Sequence, residues 1–160
     1  MPNGQLVFQE TFNNALHPSW SWLREDSDLW RFSESALEIC IQPGKADTVV
    51  NALVREAPDR TQGSYAVEVT VKNHMPPTEQ YEQAGITWYV DKAPVFKEVK
   101  ELIDGDLYII PGKQPMSTQS VRLRLIVTAN SWEAQYRPDG ASGFETATEG
   151  ELPPQGNDQV

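Results

Sequence analysis

Side chains able to bind a sugar recur at alternate positions in several stretches of this sequence. Carboxylates and guanidinium groups hydrogen-bond sugar hydroxyls, and an aromatic ring packs against the apolar face of a sugar. The positions that carry these groups are Glu68, Thr70, Gln83, Thr87, Tyr89, Lys97, Glu101, Arg122, Arg124 and Gln135. With the alternations in register, these residues share one side of a sheet and predict a carbohydrate-binding surface. The same pattern also fits a solvated sheet face with cross-strand ion pairs.

Trp20, Trp22 and Trp30 lie close together in a stretch rich in turn-forming residues. Aromatic rings of this kind can form a stacking platform at the mouth of a groove, and Trp22 is the candidate for that role. The alternative is structural. In that interpretation the rings close one end of the fold and their indole N–H groups bond to loop carbonyl groups.

Short strands are predicted to position these side chains. Alternating apolar and polar residues indicate half-buried strands, and no long stretch keeps an apolar stripe at helical spacing. The predicted strands cover residues 6–12, 30–33, 36–42, 49–55, 64–72, two segments within 81–106, 120–128 and 131–137. Many short strands separated by turns predict an all-β fold, a sandwich or a barrel.

The two strands within residues 81–106 are the centre of the predicted fold. Ala84, Ile86, Trp88 and Val90 alternate along the first of them and are expected to face the core. The last stretch, residues 141–160, is acidic and contains Gly and Pro, which predicts a surface loop or tail. Residues 1–160 are predicted to form a single domain that either lacks its final strand or ends in a long terminal loop.

The net charge narrows the classes of binding partner, and the cysteine content indicates the cellular compartment. A formal net charge of -10 argues against nucleic acid or an anionic membrane, because both repel an acidic surface. The single cysteine, Cys40, fits a reducing compartment. If residue 1 is the native start, the missing basic and apolar leader predicts a cytoplasmic protein.

Several segments carry a family likeness: FQETF, PSWSWLRED followed by Trp30, YEQAGITWYVD, FKEVKELIDG, and VRLRLIV running on to YRPDG. In this order the sequence resembles the DUF1349 family, whose members are concanavalin A-like jelly-roll domains related to the C-terminal module of some family 43 xylosidases. The resemblance implies a jelly-roll sandwich of two antiparallel sheets with a concave polar face. It departs at Lys92-Ala93-Pro94, where the family loop is rich in Asp and Asn, and at the closing strand.

Few residues of the sequence are arranged for metal binding or catalysis. Related jelly rolls often hold a structural calcium ion between the first and last strands, which makes Glu10 a candidate ligand; no other cofactor is expected. Glu68 and Glu101 could face one another across a groove, but concanavalin A-like glucanases place their acids in an E-x-D-x-x-E pattern that this sequence lacks. We therefore expect no catalytic residues.

Three functional hypotheses follow. The first is non-catalytic, lectin-like carbohydrate binding by the predicted polar face. The second is a cytosolic protein-interaction or regulatory module, with a protein partner and no sugar ligand. The third, which has least support, is a glycoside hydrolase.

Overall fold

The structure is a computed structural model that describes residues 4–160. Within those residues the regular structure consists of strands, apart from a short 3-10 helix at Ser27–Leu29. The predicted all-β class is therefore confirmed. The chain divides into two compact units, the first ending at Arg55 and the second covering Glu56–Val160. The two units are described separately below.

The first unit contains two small antiparallel strand pairs. Its strands are β1 (Ser21–Leu23), β2 (Trp30–Ser33), β3 (Ala36–Ile39) and β4 (Ala52–Val54). Strand β1 pairs with β4, and β2 pairs with β3. Three of the predicted strands in this part of the sequence are therefore present, with shorter bounds at residues 36–42 and 49–55.

Residues 6–12, predicted as an opening strand, contain no strand in the structure. The carboxylate of Glu10 accepts hydrogen bonds from the backbone N–H groups of Thr11 and Phe12, at 2.9 and 3.1 Å. Side chains that capture nearby backbone donors offer the backbone an alternative to sheet pairing. The backbone also turns at Phe12, whose φ is 55°. The prediction of a strand over residues 6–12 is therefore wrong.

The second unit is a sandwich of two antiparallel sheets. Its strands are β5 (Tyr65–Lys72), β6 (Gln83–Val90), β7 (Ala93–Ile103), β8 (Asp106–Ile110), β9 (Gln114–Pro115), β10 (Ser120–Val127), β11 (Ser131–Pro138), β12 (Glu145–Glu151) and β13 (Asp158–Gln159). One sheet has four strands in the order β12-β11-β10-β5, and the other has five in the order β13-β6-β7-β8-β9. This two-layer arrangement is consistent with the predicted jelly roll.

The core of the sandwich is built from the alternate apolar residues of both sheets. Val121, Leu123, Leu125 and Val127 of β10 are at most 1% exposed, and Trp88 of β6 is fully buried. They belong to one cluster with apolar residues from both layers. The inward assignments made for β10 and β6 from alternation are therefore confirmed.

Residues 141–160, predicted as a loop or tail, contribute two strands. Strand β12 pairs with β11, and β13 pairs with β6. Asp158 anchors β13 through an ion pair with Arg60 (Nε to Oδ2, 2.7 Å) and accepts the indole N–H of Trp88 at 2.9 Å. The ion pair is buried, with side-chain exposures of 0% and 1%. This segment is therefore part of the sandwich rather than an appendage.

Candidate functional site

Polar side chains cover the outward side of the four-stranded sheet, here called the outer face. Paired residues on neighbouring strands point to the same side of a sheet, so the register defines the rows of this face. The rows across β5, β10, β11 and β12 are Thr70–Arg122–Arg137, Glu68–Arg124–Gln135–Thr146 and Ala66–Ile126–Glu133–Glu149. Five predicted positions, Glu68, Thr70, Arg122, Arg124 and Gln135, therefore lie together.

A hydrogen-bonded network links the middle of the outer face. Glu68 accepts from Arg124 (Nε to Oε1, 2.7 Å) and lies 3.6 Å from Nε of Arg122. Gln135 donates to the carboxylate of Glu133 at 2.8 Å, and the hydroxyl of Thr146 donates to the same oxygen at 2.6 Å. The ion pairs of Glu68 are partly solvated, so they contribute little to stability.

Phe144 lies just before β12. It is at the end of the outer face that carries Arg122, Arg124 and Arg137, here called the basic end. The guanidinium carbon of Arg124 is 3.6 Å from the centre of the Phe144 ring, and that of Arg137 is 5.0 Å from it. These distances are in the range of cation–π contacts. Two arginines from neighbouring strands are thereby held against one ring.

A cleft of about 440 Å³ opens at the opposite end of the outer face. Its lining combines apolar surface with carboxylates and hydroxyls: Ile126, Trp132, Glu133, Glu149, Gly150 and Glu151, with Thr128 and Ser131 at one side. We call it the carboxylate cleft. The Trp132 ring crosses β12 at Gly150, where a Cβ atom would stand only 2.5 Å from the ring. Gly150 therefore makes room for the Trp132 ring on the inner side of the sheet.

Trp132 is held from its other side as well. Its ring stacks on Phe96 of β7, with the ring centres 3.8 Å apart and the planes inclined by 25°. The register also pairs Trp132 with the buried Val127, so its ring lies on the inner side of the sheet, between the two layers.

The carboxylates of the cleft are hydrogen-bond acceptors. The hydroxyl of Thr146 and the amide of Gln135 lower the pKa of Glu133 below its ordinary value by stabilising the charged form. Glu149 lies directly across from Glu133 on β12 and is exposed. Carboxylates next to an apolar side chain such as Ile126 can accept sugar hydroxyls while the apolar surface contacts C–H groups.

The remaining predicted residues of the polar face lie on the other sheet, so the predicted single face is incorrect. Gln83 donates to Glu101 at 3.0 Å and accepts from Lys97, which joins β6 and β7. Glu101 is 7% exposed and Tyr89 is 3% exposed. Alternation shows which residues share a side of a strand, but it does not show which sheet the strand joins.

Two further consequences follow from this division. Glu68 lies on β5 and Glu101 on β7, so the two carboxylates belong to different sheets and do not face each other across a groove. Thr87 pairs with Lys97 and is half-buried on the same side as Gln83. The Gln83–Lys97–Glu101 set offers a ligand much less accessible surface than the outer face does.

Trp22 belongs to the first unit and is half-buried. Its ring packs on Trp30 with centres 4.9 Å apart, and Trp30 in turn contacts Phe32. The indole N–H groups of Trp20 and Trp30 bond to the carboxylates of Glu10 and Glu25, rather than to the carbonyl groups expected. The ring of Trp22 is therefore engaged in an aromatic cluster.

Glu10, the predicted calcium ligand, has another role in the structure. Besides Thr11 and Phe12, its carboxylate accepts the backbone N–H of His17 at 2.9 Å, and these bonds lower its pKa. No group of three or more His, Cys, Asp or Glu side chains in the described residues is arranged to hold a metal ion. Glu10 thus organises a loop in the first unit.

Sequence reasoning missed the residues that complete the site. Glu149, Glu151 and Phe144 lie in the segment expected to be a loop, and Glu133 and Arg137 were not selected from β11. The signal for β11 was available, because Glu133, Gln135 and Arg137 alternate with the buried Ala134 and Tyr136.

Comparisons with known proteins returned no match: no family model, no curated protein and no solved structure is similar to this chain. In the described part of the chain, no helix has both the length and the apolar character needed to cross a bilayer.

Proposed function

We propose that this protein is a non-catalytic carbohydrate-binding module and that the sugar binds in the carboxylate cleft. The observation that carries the proposal is the grouping of several carboxylates with the apolar side chain of Ile126 in one open cleft. Glu133 and Glu149 supply acceptors, while Ile126 supplies apolar surface. Carbohydrates need both kinds of contact, since their rings have polar edges and apolar faces.

The neighbouring network extends the surface available to a longer ligand. Gln135, Arg124 and Glu68 continue from the cleft along the outer face with both donors and acceptors. The resemblance to DUF1349 jelly rolls also supports a sugar ligand, and the proposal includes that family relationship and a cytoplasmic location. The binding step requires no cofactor.

Binding without turnover is favoured by the lowered pKa of Glu133. A glycoside hydrolase needs one carboxylic acid that holds its proton and one that is ionised. The pKa of Glu133 is lowered, so it is ionised at neutral pH. The carboxyl with the raised pKa, Glu98, is fully buried between the sheets. Turnover of an aryl glycoside that is abolished by Glu149→Gln would favour the hydrolase instead.

A protein-interaction module is the second candidate, and strand β5 favours it. Strand β5 is eight residues long and forms one edge of its sheet, with no partner on its outer side in the described residues. Such an edge presents unpaired N–H and C=O groups that can pair with another chain. A blank glycan array, together with a partner lost on Val69→Pro, would support this candidate over sugar binding.

A glycan array with matched variants tests the proposal. Glu149→Gln keeps the shape of the side chain but removes its charge, and Glu79→Gln makes the same change in an exposed loop before β6. A lost charge-assisted hydrogen bond costs about 1.5 kcal/mol or more, which is about tenfold in affinity. We expect Glu149→Gln to lose the array signal and Glu79→Gln to keep it. Equal signals from both variants would contradict the cleft as the site.

A further inference from the structure

The basic end of the outer face concentrates positive charge in a strongly acidic protein. Arg122 and Arg137 stand directly opposite each other on β10 and β11, and Arg124 occupies the next row. Lys72 ends β5 on the same side of the sheet and is exposed. The whole chain has 13 Lys and Arg residues and a net charge of -10, so this corner differs sharply from the average. Local fields of this kind attract anions.

The charges of the three arginines are only partly neutralised. Glu68 is shared, at 2.7 Å from Arg124 and 3.6 Å from Arg122. Within the described residues, Arg137 has no ion-pair partner, and the carboxylate-bearing network around Glu133 lies two rows away. Like charges directly opposite on neighbouring strands destabilise a sheet. An anion bridging Arg122 and Arg137 would convert that repulsion into attraction.

The arginines are also preorganised. Phe144 supports Arg124 and Arg137 from one side, which limits the conformations of both side chains before any ligand arrives. A guanidinium group presents a planar fork of donors that matches a carboxylate. Arg122 is 45% exposed at its side chain, so its donors are accessible to a ligand.

We propose that Arg122 and Arg137 bind the carboxylate of a single uronic acid residue in an otherwise neutral oligosaccharide. This inference rests on the proposed function, because the neutral part of the ligand occupies the carboxylate cleft. Ile126 lies four positions along β10 from Arg122, which corresponds to about 13 Å at the rise of a strand. The carboxylates of the cleft repel a second acidic sugar, so a homopolymer of uronates fits the two ends less well.

Matched pairs of tetrasaccharides test the inference with the full chain. The probes are cello-, xylo-, manno- and galacto-configured tetrasaccharides, each as the neutral chain and with one uronate residue. Binding is measured by calorimetry for the wild type, for Arg122→Gln/Arg137→Gln, for Arg137→Gln alone, and for Lys92→Gln as a charge control in an exposed turn. Thermal unfolding confirms that each variant is folded; Arg137→Gln loses no ion pair and guards against a failure to fold.

We expect the wild type to bind one uronate-bearing member at least about tenfold more tightly than its neutral counterpart. The double variant removes that difference and leaves the neutral affinity unchanged, and Lys92→Gln preserves both. Equal affinities for the two members of every bound pair would overturn the inference and leave the proposed function intact. Binding of no member of any pair would overturn both.

Discussion

Glu98 is a fully buried carboxyl on β7 that points between the two sheets, on the side shared with Ile86 and Trp88. Neither of its carboxyl oxygens has a hydrogen-bond partner in the described residues. Burial raises its pKa to about 9, because the charged form is poorly solvated there. Glu98 is therefore protonated in the folded protein at neutral pH.

The raised pKa makes stability depend on pH. At pH values between the ordinary pKa of 4.5 and about 9, Glu98 is protonated in the folded state but ionised in the unfolded state. The stabilising contribution is thus complete below the unfolded pKa and is lost as pH rises through the folded pKa, by about 1.4 kcal/mol per pH unit.

Replacing Glu98 tests this assignment. Glu98→Gln removes the titration but keeps an unpaired polar group, so the free energy of unfolding should fall less steeply between pH 6 and pH 8 than in the wild type. Glu98→Leu removes the polar group as well. At pH 8 it should raise the free energy of unfolding by about 1–3 kcal/mol relative to the wild type. Urea unfolding at several pH values measures both effects. Parallel pH profiles for all three proteins would show that Glu98 does not titrate in this range.

The pKa of Glu133 provides a second prediction for a single residue. Thr146→Val removes the hydroxyl that bonds to the Glu133 carboxylate, so the lowered pKa should move up toward its ordinary value. Because the lowered pKa favours the folded state above the unfolded pKa, this contribution fades as pH falls through the folded pKa. Carboxyl NMR titration of both proteins measures the change. An unaltered pKa would mean that a group other than the Thr146 hydroxyl stabilises the ionised form of Glu133.

At the scale of elements, alternation succeeded where one face of a strand is deeply buried. Strand β10 is the clear example, since Val121, Leu123 and Leu125 leave no doubt about its inward side. Strand β12 lacks that signal because it is an edge strand whose residues ETATEGE are polar or small. Its pairing depends on β11, and the propensities of its own residues do not encode that contact. The cleft walls on β12 were missed for the same reason.

The short strand β13 leads to a prediction about Asp158. Asp158→Asn leaves the Arg60 guanidinium buried without a counter-charge, and breaking a buried pair in this way costs about 3–5 kcal/mol. The control is Asp139→Asn in the exposed turn after β11. Denaturant unfolding should show a large loss for the first variant and almost none for the second. A loss confined to a few tenths of a kcal/mol at Asp158 would contradict the anchoring role of the pair.

At the scale of the whole molecule, the net charge favours the binding of short anions over that of long ones. The net charge of -10 repels a polyanion over its whole length, whereas one carboxylate meets only the basic end of the outer face. We therefore expect no retardation of duplex DNA in gels at about 50 mM salt, where nucleic-acid binding proteins bind strongly. Retardation that is lost in Arg122→Gln/Arg137→Gln would instead assign the arginines to a nucleic-acid partner.

The most direct test of sugar binding is an NMR titration of the isotope-labelled full chain with the same neutral tetrasaccharides. The account predicts chemical-shift changes at the backbone amides of Ile126, Glu133 and Glu149, with those of Gln83 and Glu101 on the other sheet unchanged. Shift changes confined to Gln83 and Glu101, or no shift change with any of the four sugars at millimolar concentration, would contradict the carboxylate cleft as a carbohydrate site.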